Sequence, residues 1–126
     1  MKRKIVIFIA IFFFIISTLG CAGSPIRTQR EAERNRSNML QLKIGMSKEQ
    51  VHALMGNPYK TESYQIEGKT IEFWLFLTEG KDIYDRSLRD SNFTPLAFEN
   101  NTLSGWGRNY YDNALQIKQD IKIEKR

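Results

Sequence analysis

Leu42-Lys43-Ile44-Gly45-Met46-Ser47-Lys48-Glu49-Gln50-Val51, followed by Leu54-Met55-Gly56-Asn57-Pro58, is the stretch whose reading settles the architecture. Ser47 with Gln50 three residues later forms a capping box. Met46 and Val51 stand where a hydrophobic staple closes over a helix start. Val51, Leu54 and Met55 recur at i, i+3 and i+4 and so share one buried stripe of a short helix. Gly56 supplies the C-terminal cap, and Pro58 stops the helix from resuming. His52, the only histidine, falls off that stripe and reads as a surface residue rather than a ligand or base.

Upstream, Met39, Leu40, Leu42 and Ile44 suit a short helix that continues out of an arginine-rich segment and is ended by Gly45, with the domain beginning near Asn38. Downstream the period changes to two. Thr61 to Ile66, a Glu67-Gly68 turn and Thr70 to Thr78 predict a hairpin. Ile71, Phe73, Leu75 and Leu77 face one side of its second strand and pack on the helices. Trp74 and Phe76 lie on the other side, covered by another element or exposed as an interaction patch. Glu79 to Asn92 reads as a long polar loop, a kind of segment that is often functional or mobile. Phe93 to Phe98, an Asn100-Asn101 turn and Leu103 to Gly107 predict a second hairpin. The expected fold class is α+β, with two short N-terminal helices on a small three- to four-stranded antiparallel sheet.

The N-terminus carries a different signal. Met1-Lys2-Arg3-Lys4 precedes an apolar run from Ile5 to Ile16, then Ser17-Thr18-Leu19-Gly20 and Cys21, the only cysteine. A basic start, an apolar core and small residues make a secretory signal. The run is too short to span a bilayer, which needs roughly 20 apolar residues. A thiol directly after a small residue resembles a bacterial lipoprotein signal, in which Cys21 receives diacylglycerol and becomes the new N-terminus. That resemblance implies lipid attachment at Cys21, an outer-membrane location facing the periplasm and stable anchoring by more than one acyl chain.

Removing residues 1–20 from the 126 leaves 106, enough for one small domain. The charge falls from +5 to about +2, because three of the nineteen basic residues lie in the signal. No concentrated basic face remains for nucleic acid. Arg27, Arg30, Arg34 and Arg36, interleaved with Glu31 and Glu33, read as a solvated tether or frayed helix with some capacity for anionic lipid headgroups. The expected division is therefore signal 1–20, flexible tether 21–37, domain 38–112 and a mobile charged tail 113–126.

The inventory for catalysis is thin. There is one histidine, the single thiol is committed to lipid, and no phosphate-binding glycine loop, HExxH or GxSxG occurs. Asp82, Asp85 and Asp90 share a loop but lack the glycine and terminal glutamate of a calcium loop. The expectation is a non-enzyme without metal or cofactor.

The Leu42 to Pro58 stretch, Trp74 on its strand and the Phe98-Asn100-Leu103-Trp106 hairpin together resemble the SmpA/OmlA domain of BamE-like lipoproteins, over roughly residues 40–107. The same opening occurs in modules with the fold of β-lactamase inhibitor proteins. The resemblance implies a two-helix layer on an antiparallel sheet used for protein contacts, and an accessory role in outer-membrane protein assembly. Two readings follow. In one, Trp74, Phe76, Trp106, Tyr110 and Tyr111 form an aromatic surface for an envelope protein, since such residues dominate interface hot spots. In the other, the Arg27 to Arg36 segment with Lys81, Arg86 and Arg89 binds anionic lipid or another small envelope component.

Overall fold

The computed structural model describes residues 25–82, 84 and 87–124. Cys21, the signal, Asp85 and Arg86 lie outside the described residues.

The first described element is a helix, α1, over Pro25–Met39, where the sequence predicts a solvated tether or frayed helix to residue 37 and a domain only from Asn38. Pro25 suits a first helical position, because its missing N–H has no intrahelical partner there. The side turned inward carries Thr28, Ala32 and Asn35, all buried. Their spacing is that of one helical stripe, but the residues are small or polar, so apolar periodicity does not reveal it. Asn35 Nδ2 donates to Leu77 O at 2.8 Å and Arg36 Nη1 donates to Thr78 O. Lys81 N donates to Thr28 Oγ1 at 3.2 Å. Gly80 lies so near α1 that a Cβ there would come within 2.9 Å of Gln29 Cα. Residues 40–47 then form a connection in which Leu42 is buried and Leu40 and Ile44 are exposed.

The second helix, α2 (Lys48–Met55), forms where the capping box requires it. Ser47 Oγ accepts from Gln50 N at 3.2 Å, and Gln50 Oε1 accepts from Ser47 N at 2.9 Å. Strands β1 (Lys60–Ile66), β2 (Lys69–Leu77), β3 (Phe93–Glu99) and β4 (Thr102–Trp106) follow, paired antiparallel in sequence order. Both tight turns place two residues at positive φ: Glu67 (51°) with Gly68 (77°), and Asn100 (49°) with Asn101 (67°). That is the two-residue geometry whose twist matches the flanking strands. The β3–β4 register slips between Ala97 and Phe98, so Ser104 is the extra residue of a bulge.

The last element, α3 (Arg108–Glu124), replaces the mobile tail expected over 113–126. Its inner side carries Ala114, buried, and Tyr111, packed against the core. The sheet thus separates two cores. On one face Ile66, Ile71, Phe73, Leu75, Leu77, Phe93 and Ala97 pack with Ala32 of α1 and Ala114 of α3. On the other, Phe76, Leu96, Phe98 and Leu103 pack with Val51 and Met55 of α2 and with Leu42. The fold class is α+β, as the sequence implies. The helices do not form one N-terminal layer, however: they lie on both faces, and one is C-terminal.

The two outer strands differ. The segment before α2 runs along β4, with Gly45 N donating to Leu103 O (2.8 Å), Leu103 N to Met46 O (2.7 Å) and Lys48 N to Asn101 O (3.2 Å). Among the described residues, no strand pairs with the outer side of β1. The 79–92 loop is organised, over its described part, by Asn92. Its Nδ2 donates to Glu79 O and Gly80 O, both at 3.2 Å, and its Oδ1 accepts from Arg89 N at 2.7 Å.

Candidate functional site

Because α2 has only eight residues, it covers β3, β4 and Phe76 of β2 on its face and leaves β1 open. Thr61, Ser63 and Gln65 of β1 are exposed there, and Trp74 of β2 is half-buried. Between α2 and β2 lies a shallow groove of about 370 Å³, lined by Lys48, Glu49, His52, Ala53 and Trp74.

The polar edge of the indole is already engaged. Trp74 Nε1 donates to Glu72 Oε1 at 2.5 Å, and Lys48 Nζ donates to Glu72 Oε2 at 2.6 Å. The indole packs on Phe98 with centroids 4.7 Å apart. His52 meets it edge-on at 6.4 Å and is itself tied to Asn57 Oδ1 at 2.8 Å. With its N–H satisfied, Trp74 offers the groove an apolar ring and no free donor. Such a floor suits an apolar side chain of a partner.

The other sequence-selected aromatics do not join it. Phe76 is 1 % exposed and belongs to the core under α2. Trp106 shares the face of Trp74, at 38 % exposure, but lies two strands away across Leu96, about 9–10 Å. Tyr110 and Tyr111 sit on α3, on the opposite face. The Tyr110 ring lies over Gly105, where a Cβ would approach it to 2.5 Å. Strand alternation explains the split, since 74, 76 and 106 point to one side and α3 docks on the other. The groove residues of α2 were not selected from sequence. Lys48, Glu49, His52 and Ala53 form only the polar side of a short helix, and tertiary placement alone sets them beside Trp74.

Tyr111 belongs to a second polar cluster that fastens α3 to β1. Its hydroxyl donates to Glu62 Oε2 at 2.5 Å, Tyr64 OH donates to the same oxygen at 2.9 Å, and Lys60 Nζ meets Glu62 Oε1 at 2.5 Å. Lys118 Nζ stands 4.3 Å above the Tyr64 ring. Burial and the Glu62 contact push the Tyr111 hydroxyl well above the ordinary phenol range. For Glu62 and Glu72 burial acts upward, but the lysine and hydroxyl or indole donors outweigh it and hold both carboxyls below their ordinary value of 4.5. Groups with lowered folded pKa values stabilise the fold above the ordinary carboxylate range, and that stability is lost as pH falls through the lowered values. Acid titration followed by tryptophan fluorescence should therefore show stability declining below about pH 4.5. Glu62→Gln with Glu72→Gln should flatten that dependence; an unchanged acid limb in the double variant would contradict the assignment.

Among the described residues, no group of three or more His, Cys, Asp or Glu converges as a metal site. No helix among them is long and apolar enough to cross a membrane. No curated protein and no solved structure matches the chain. Residues 22–113 match the family model described as "Protein of unknown function (DUF3192)", a span that takes in α1, α2, the whole sheet and the start of α3. The chain therefore belongs to the DUF3192 family.

Proposed function

We propose that this protein is a non-enzymatic binding module of the bacterial cell envelope, anchored by lipid on Cys21 to the outer membrane and facing the periplasm. Its groove over Trp74 receives an apolar side chain from an extended segment of an envelope protein. The observation that carries this reading is Trp74 itself, half-buried, with its N–H engaged by Glu72. The neighbouring open edge of β1 offers backbone donors and acceptors to the same segment, the usual route of strand addition. The resemblance to BamE-like domains favours an accessory role in outer-membrane protein assembly as the wider setting.

Site-specific photocrosslinking in the full chain tests this. Thr61 pairs in register with Trp74, so a crosslinker at Thr61 should capture a discrete envelope protein that one at exposed Asn113, on α3, does not. Ala53→Glu places a charge in the groove at an exposed helix position and should lower the Thr61 yield at least about tenfold, as expected for a hot-spot contact. Equal capture from both positions, or a yield indifferent to Ala53→Glu, would remove the groove as the binding site. Cys21→Ser should shift the protein from the membrane to the soluble fraction.

A further inference from the structure

We infer that α1 is the membrane-facing element of the domain, its outer side lying against anionic phospholipid headgroups so that the Trp74 groove looks away from the bilayer. This rests on lipid attachment at Cys21. With α1 beginning at Pro25, only Ala22, Gly23 and Ser24 separate it from the anchored residue. Four Cα steps reach at most about 14 Å. The seventeen-residue tether expected from sequence would let the domain float free of the surface; three residues do not.

The chemistry of α1 fits the surface it is held to. Opposite the buried Thr28, Ala32 and Asn35, its outer side presents Ile26, 65 % exposed, with Arg27, Arg30 and Arg34, all exposed. A shallow hollow on the helix is lined by Arg27, Thr28, Arg30, Glu31 and Arg34. Glu31 and the exposed Glu33, which accepts a hydrogen bond from Gln29 at 3.0 Å, offset two of these three charges, so the outer side keeps a small positive excess beside its exposed Ile26. Arg36 belongs to the fold, through Thr78 O. The helix is about 22 Å long and lies within reach of the headgroups when flat. Each basic residue near an anionic leaflet strengthens attachment roughly fivefold, an effect that fades within a Debye length of about 8–10 Å. Because α1 packs on one face of the sheet and α2 on the other, a flat α1 turns the groove outward.

The test uses the full lipidated chain in phosphatidylcholine vesicles, with and without phosphatidylglycerol. Cys21 is the only native cysteine and its sulfur is bonded to lipid, so Ile26→Cys or Ala53→Cys supplies a single site for a fluorophore. Quenching by headgroup spin-labelled lipid should be severalfold stronger at position 26 than at 53 in anionic vesicles. The excess should fall severalfold, to what the short connection to Cys21 alone imposes, in high salt, in vesicles lacking phosphatidylglycerol and in the Arg30→Glu/Arg34→Glu variant, whose urea midpoint should stay unchanged because both residues are exposed. Lipidated protein with equal quenching at the two positions, or with an excess that charge reversal leaves unchanged, overturns the orientation and leaves the groove reading intact. Mature protein whose mass shows no lipid on Cys21 overturns both.

Discussion

Phe76→Ala should lower stability by about 3–5 kcal/mol, the range for deleting a buried phenylalanine. The ring is 1 % exposed and belongs to the core formed with Val51, Met55, Leu96, Phe98 and Leu103. Its loss removes the hydrophobic transfer energy and leaves a cavity that a helix as short as α2 closes only in part. Small domains have only about 5–15 kcal/mol in total, so the variant should approach the limit of folding at 37 °C. Urea unfolding followed by Trp74 and Trp106 fluorescence would show a much lower midpoint with an unchanged slope. Phe76 and Trp74 are two residues apart on one face of one strand, yet they should fail differently. Phe76→Ala should lower the Thr61 crosslinking yield because the fold loosens; Ala53→Glu, at the rim of the Trp74 groove, should lower it in a stable fold. A midpoint for Phe76→Ala within 0.5 kcal/mol of wild type, the scatter of surface substitutions, would contradict the core assignment.

The second large effect is expected at Asn35, and it tests whether α1 is structural. Asn35 is 3 % exposed, and its amide donates to Leu77 O at the end of β2. Asn35→Asp keeps the shape but turns the donor into an acceptor facing an acceptor, in a buried site. Arg36, the adjacent cation, is already engaged with Thr78 O. An uncompensated buried charge costs about 3–5 kcal/mol. The introduced carboxyl should hold its proton well above the ordinary range, since burial penalises the ionised form and the protonated form can donate to Leu77 O. The sign is then fixed. Its folded pKa is raised, so the penalty is small at acid pH and grows by about 1.4 kcal/mol per pH unit between the unfolded and folded values. Asn35→Ala, which only leaves Leu77 O unpaired, should cost about 1–3 kcal/mol with no such pH dependence. Were residues 25–37 a tether, none of these changes would register. Asn35 Oδ1 has no hydrogen-bond partner among the described residues, which makes the single donated bond the whole of its contribution.

What the sequence displays is what local physics decides. The Ser47–Gln50 box, the stripe of Val51 and Met55 and both hairpins appear where the pattern places them, because caps and two-residue turns are set by neighbours in sequence. The alternation along β2 also assigns Phe73 and Leu75 to one face and Trp74 and Phe76 to the other. Two helices are hidden for a stated reason. Thr28, Ala32 and Asn35 make a packing stripe without large apolar residues, suited to close approach to the sheet and anchored by hydrogen bonds. In α3 the inner positions are Tyr111 and Ala114, while the more conspicuous Tyr110 and Ile117 are 37 % and 42 % exposed. The aromatic surface expected from sequence dissolves for the same reason that the groove emerges. Which helix covers which face is a tertiary outcome, and it buries Phe76, assigns Tyr111 to fastening α3 and leaves Trp74 half-covered.

The unequal edges of the sheet set a limit on how many chains can join through it. With β4 flanked by residues 45–48 and β1 unpaired among the described residues, each molecule has one strand available for extension instead of two. Growth of a fibril by strand stacking requires every subunit to offer both a giving and a receiving edge. Here β1 can meet only another β1, which closes the arrangement at two copies, or a strand from a different protein, which ends it at one. Crowded copies are thereby kept from polymerising by the topology of the sheet.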